Sequence, residues 1–278
     1  MRGVSIIAGL TCREAVRRKV LVAAVLLGVA FLILYGFGLH LILSRMPAPV
    51  ARQALVVRQG VSVLMVMGMY AVNWLVVVIT ILTSVDTLAG EINSGVIQAV
   101  VTKPIRRWEV VVGKWAGFAL MLSGYIVLLV GGVALEVRLI GGYPPAHFER
   151  ALGLIWLESM LLLSISLRVG ASLSTLATGV LVFGMHILAF LGGWVEEFGW
   201  IAHSTTARNI GVLASVLMPS ESLWRRAAFD IQGPIIGGFA RGPFSIGSVP
   251  SAVMVVYAAA YMTAALFLAM RRFSKRDL

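Results

Sequence analysis

The sequence predicts an all-α integral membrane fold with six transmembrane helices and both ends on the cytoplasmic side. Three observations predict it. First, 59% of the 278 residues are hydrophobic and only 13% are charged, about half the charge of a soluble domain, and the mean hydropathy is +0.95. Second, uncharged stretches of about 20 residues, the length needed to cross a bilayer, recur along the chain: no charge interrupts Gln59 to Val85, and none interrupts Trp115 to Leu135. Third, the cations flank these runs. Alternating spans place most of the 23 Lys and Arg, and all four lysines (Lys19, Lys103, Lys114, Lys275), on the N-terminal side, which the positive-inside rule makes cytoplasmic. The net charge of +11 therefore belongs to membrane topology, not to a nucleic-acid surface.

The elements follow in order as one membrane domain. Residues 1–19 form an amphipathic helix with Val4, Ile6, Ile7 and Leu10 on one side and Arg2, Gly9 and Arg13 opposite, suited to lie along the inner membrane surface against anionic lipid headgroups. The first span, Val20–Leu43, is too long for a signal-peptide core and lacks a small-residue cleavage site, so it reads as an anchor. Ser44–Gly60, with Pro47 and Pro49, connects it to the second span, Val61–Val85. The third runs from Val110 to about Leu139, and "GGYPP" makes a tight connection to the short fourth span, Ala151–Leu167. Ser172–Val195 is the fifth and Ser248–Met270 the sixth, followed by the basic tail "RRFSKR". Between them, residues 196–247 form an extracytoplasmic loop. Its apolar stretch is too short to span, and Ser220 is placed to cap a helix holding Leu223, Trp224 and Phe229; interfacial or re-entrant helices are expected there.

One polar piece interrupts this lipid-adapted chain, "EINSGVIQAVVTKPIRRWEVVVGKW" from Glu91 to Trp115. Proline disfavours helical geometry in the residue before it and is welcome in a first helical turn. Pro104 therefore divides the piece into a short amphipathic helix, Glu91 to Val101, and a second that climbs back into the bilayer. Arg106 and Arg107 stay at headgroup level, Trp108 joins the aromatic belt, and Lys114 snorkels. Glu91 stands at the start of the first helix, where its dipole favours a carboxylate. A topology-setting loop needs cations but neither that carboxylate nor an apolar face, which needs cover.

Glu91, Gly95, Ile97, Lys103, Pro104, Arg107, Gly113 and Lys114 form the pattern "E-x-x-x-G-x-I" followed by "KPIRR" and "GK". It resembles the signature between the second and third spans of ATP-binding-cassette (ABC) transporter permeases of the type-2 exporter class. "REAVRRK" before the first span and "LMPSESLWRRA" before the last are similar to the branch containing the permease of nitrous-oxide-reductase maturation systems. Val96 stands where the family commonly has Thr. The resemblance implies that residues 89–109 are a cytoplasmic coupling segment docking on a separate ATPase subunit, which binds ATP and Mg. It also implies that two permeases pair around the transport path and that the chain sits in the bacterial cytoplasmic (inner) membrane. The chain itself has no GxxxxGK[ST] loop, and Gly113-Lys114 precedes a Trp at the start of a span.

Other chemistry is sparse. Four dispersed histidines (His40, His147, His186, His203) show no i, i+4 pair, and the single cysteine, Cys12, forms no thiolate cluster. Glu158 is an intramembrane acid, either functional, as such groups are by default, or a paired structural carboxyl near the outer third of a short helix, with Arg168 or Asn73 as candidate partner; Asn73 either lines the path or hydrogen-bonds between helices, and Asn73 and Glu158 are the candidates for the translocation path. The function expected is export driven by a partner ATPase. Two alternatives stand beside it. One is a component that transmits force from an ATPase to periplasmic partner proteins, as in maturation systems; the other is an intramembrane enzyme using Glu158 with a histidine.

Overall fold

The computed structural model describes residues 2–17, 19–46, 54–93, 106–142, 145, 147–232 and 249–275. Among them regular structure is wholly helical: α1 (Arg2–Arg17), α2 (Lys19–Ser44), α3 (Ala54–Asn93), α4 (Arg107–Gly141), α5 (Phe148–Gly170), α6 (Thr175–Ile201), α7 (Thr205–Leu217), α8 (Ser220–Gln232) and α9 (Ala252–Ser274). Six of these, α2 to α6 and α9, are long and apolar enough to cross a membrane. Their alternation puts α1, the α3–α4 link, the α5–α6 link and the end of α9 on one side, here the near side. Arg272 at the end of α9 donates to Ser172 in the α5–α6 link at 3.3 Å, as that topology requires.

Helix α5 is the hub, two-thirds buried across its apolar window, whereas α2 and α9 bury little of theirs. It packs against α3, α4, α8 and α9, and its centre is Met160, Leu161, Leu162 and Leu163, all with no exposed surface. Leu26, Ile33, Leu34 and Phe37 of α2 and Val253 and Val256 of α9 remain exposed. In a bilayer such surface meets acyl chains at no hydrophobic cost.

Several expectations are corrected. α3 begins at Ala54, not Val61, so the connection from α2 is about two turns shorter than expected. Helix α6 continues beyond Val195 to Ile201. Helices α7 and α8 occupy the loop where interfacial or re-entrant helices are expected. α7 folds back antiparallel along α6: Gly192 faces Ala214, Gly211 faces Glu196, and Gly199 faces Arg208. At Gly192 and Gly211 an added Cβ would collide with Ala214 Cβ and Glu196 Cβ respectively, so glycine is what lets the two backbones touch. The chain reverses at Met218 and Pro219, and α8 returns toward the far side, its last carbonyl at Gln232 accepting from Ser62 near the start of α3 at 3.4 Å. The turn lies beside His186, near the middle of α6. The α7–α8 pair is thus a re-entrant hairpin reaching mid-depth. Ser220 is the first residue of α8 rather than its cap: it is fully buried and its hydroxyl meets His186 Nδ1 at 2.9 Å.

Candidate coupling site and a buried polar cluster

Two places concentrate polar chemistry, one at each side. On the near side α1 lies across the start of α4. The contact is set by Gly113 and Gly117, spaced one helical turn apart: a Cβ at Gly113 would stand 2.7 Å from Ile7 Cβ, and one at Gly117 2.9 Å from the Ala8 carbonyl oxygen. Cys12 Sγ donates to the Gly117 carbonyl at 3.4 Å. The amphipathic reading of α1 is redistributed by this seat, because Ile7, Thr11 and Ala15 bury against α4 while Ile6 and Leu10 stay exposed.

Helix α4 opens at Arg107, and Glu109 accepts the backbone N–H of Arg106 at 3.1 Å, satisfying one orphan donor of the first turn. Lys114 does not snorkel. It is 6% exposed, and its ammonium donates to the Thr87 carbonyl of α3 at 3.3 Å. That bond joins the end of α3 to the start of α4 across the base of the polar segment. Glu91 falls inside α3, whose described extent ends at Asn93, rather than in the first turn of a separate helix, so the dipole argument for its carboxylate does not hold. Gly95, Ile97, Lys103 and Pro104 lie outside the described residues.

Toward the far side, α3, α5, α6 and α8 enclose a polar cluster within the protein. Glu158 is 0% exposed and neither carboxylate oxygen has a hydrogen-bond partner. Asn73 approaches it from α3 short of hydrogen-bond geometry, and Glu221 faces it from α8. Arg168, an expected partner, turns instead to Ser172 at 3.2 Å, near the other end of α5. One turn beyond Glu221, Arg225 Nη2 meets Glu196 of α6 at 2.7 Å and Ser215 of α7 at 3.5 Å. This pair clamps the hairpin to α6. Neither Asn73 nor Glu158 presents its side chain to an open path in the single protomer. Beside the cluster runs an aromatic ladder, Trp74 against His186 and Phe190, then Tyr70 against Phe190 and Trp224, then Phe190 against Trp194. Among the described residues no three His, Cys, Asp or Glu side chains converge as metal ligands.

Residues 5–278 match the family model described as ABC-2 family transporter protein. The chain belongs to the ABC-2 transporter family. A comparison with curated proteins returned no match. As an ABC-2 protein it is the membrane permease component of an ABC transporter, which accounts for a chain built almost entirely of spans. The sequence pointed to the near-side group, and of it the fold brings together Gly113 and Lys114 with the ends of α3 and α4. Sequence reasoning missed the pairing of Glu196 with Arg225 and the role of Glu221. Their signal was available: Glu221 and Arg225 are i, i+4 on a short helix that also carries Trp224, a spacing that puts both charges on one face.

Proposed function

We propose that this ABC-2 permease is the membrane half of an exporter whose ATPase is a separate, soluble subunit binding ATP and Mg. In this reading the near side is cytoplasmic, the membrane is the bacterial inner membrane, and residues 89–109 dock on the ATPase. The observation that carries it is the Lys114–Thr87 bond. A segment whose two flanking helices are tied together at its base cannot be displaced without moving both, and α1, seated on Gly113 and Gly117, moves with them. Closing of the ATPase is thereby delivered to α3 and α4 as one body, in keeping with rocking mechanics for alternating access. Two permeases form the transport unit. The similarity of "REAVRRK" and "LMPSESLWRRA" to maturation-type permeases favours that branch.

Two measurements test this. Co-expression with the cognate ATPase yields a complex of two permeases and two ATPases; a permease that purifies as a stable monomer without ATPase affinity refutes the reading. For orientation, single cysteines replace the exposed His203 and Lys275 in a Cys12-free background. Lys275→Cys is labelled only from the cytoplasm and His203→Cys only from outside; the reverse pattern overturns the assignment of sides.

A further inference from the structure

The near-side ends of α5 and α9 form a cationic cluster that the exporter reading leaves unused. Arg168 donates through Nη1 to the Ser172 hydroxyl oxygen at 3.2 Å, and Arg272 donates through Nε to the same oxygen at 3.3 Å. Two guanidiniums from different helices are thus drawn to one small neutral group. Residues 159–195 and 249–275 contain no Asp or Glu, and among the described residues neither guanidinium meets a carboxylate. Arg271 and Lys275 stand exposed beside them at the end of α9 and add to the charge. What the cluster presents is a set of donors. Each guanidinium carries five N–H groups in a rigid fork and commits one to Ser172. Helix α6 starts at Thr175, and Ser174 makes no side-chain cap bond there, so the N–H groups of its first turn point the same chemistry toward the link. Forked, positively charged donors of this kind match the several oxygens of a phosphate.

We propose that Arg168, Ser172 and Arg272 bind the phosphate of an anionic phospholipid in the near-side leaflet, so that its headgroup bridges the ends of α5 and α9. Basic pockets between spans bind anionic headgroups. The apolar surface beside the cluster selects a lipid over a free anion or an acidic protein surface. Leu268 lies one turn deeper than Arg272 on the same face of α9, and Leu176 and Val180 follow the link on α6; all three are exposed. A headgroup held by the arginines lays its acyl chains along such residues, whereas a free phosphate gains nothing from them. The lipid adds a tie between the hub, α5, and a span that buries little of its own surface. The site belongs to the permease alone and does not depend on which side is cytoplasmic or on the ATPase.

Photocrosslinking in nanodiscs tests this. The purified permease carries p-benzoylphenylalanine in place of Leu268 and, as a reference, in place of the exposed Leu34 on α2. The bilayer is phosphatidylcholine with a minority of phosphatidylglycerol in both leaflets, and mass spectrometry counts the two lipid adducts. At position 268 phosphatidylglycerol should be enriched several-fold over its share of the bilayer, and at position 34 it should not. Arg168→Gln with Arg272→Gln should return position 268 to the bilayer ratio. If that double variant misfolds, Arg272→Gln alone, an exposed change in the last turn of α9, should lower the enrichment at least twofold. Equal ratios at the two positions, or an enrichment that survives loss of the arginines, overturns the proposal. So does its abolition by excess inorganic phosphate, which would mark a site for free anions. Enrichment unchanged by the variants while affinity for the ATPase falls would assign the arginines to a protein partner and overturn it as well.

Discussion

Glu196→Ala removes the partner of a guanidinium already short of bonds. Arg225 Nη2 sits 2.7 Å from Glu196 Oε2, both side chains about nine-tenths enclosed, and Arg225 Nε and Nη1 are buried without partners. Leaving one member of a buried pair alone costs about 3–5 kcal/mol. Glu221, one turn away on the same helix and within reach of the Arg225 charge, is the substitute partner, so the single variant should lose the lower end of that range, about 3 kcal/mol. Adding Glu221→Gln should bring the loss toward about 5 kcal/mol, with a coupling between the two sites of about 0.5–3 kcal/mol. Replacing the pair together, as Glu196→Gln with Arg225→Met, should cost less than Glu196→Ala alone, since no charge is left behind. The assay is equilibrium unfolding of the purified permease in mixed micelles of increasing sodium dodecyl sulfate. A loss below about 1 kcal/mol for Glu196→Ala, or a double replacement worse than the single, would refute the view of this pair as a desolvated clamp.

Three further outcomes are expected. Gly113→Leu should unseat α1 at a cost of about 1–3 kcal/mol from overpacking, read as faster maleimide labelling of Cys12, whose thiol now lies on Gly117. Lys114→Met should cost about 1.5–3 kcal/mol for a hydrogen bond from a charged group yet still insert; with the ATPase present, hydrolysis should continue while transport falls, and Glu91→Ala should act in the same direction. Gly192→Leu should stop α7 from closing on α6, seen as protease cleavage near His203 that the wild type resists.

The spans were legible because lipid imposes one rule along their whole length. Val20–Leu43 in sequence and Lys19–Ser44 in structure differ by a residue at each end. The hairpin was only half legible. "IGVLASVLMP" is too short to span, which announced a departure from the plan, but its depth depends on Gly192 and Gly211 meeting across helices, and a contact between residues 19 apart leaves no periodic trace. Ser220 shows the same limit: a serine before an amphipathic run satisfies the capping rule locally, yet His186 claims its hydroxyl. A lysine at the membrane edge is expected to snorkel, but the Thr87 carbonyl that holds Lys114 belongs to another element. Glu158 was visible as an intramembrane acid with Asn73 as a candidate partner, while the nearness of Glu221, carried on the hairpin, is a product of packing.

The reversal at Met218 and Pro219 also constrains the order of assembly. A chain that turns at mid-depth exposes backbone where hydrocarbon offers no hydrogen bonds, so such a turn survives only when protein surrounds it. The hairpin cannot enter the bilayer as an early event; it needs a vestibule walled by α3, α5 and α6 to receive it. All three precede it in the chain. By the time α7 and α8 leave the ribosome their berth is already synthesised, and α8 is then held just ahead of α9, where Arg226 donates to the Pro250 carbonyl at 2.7 Å.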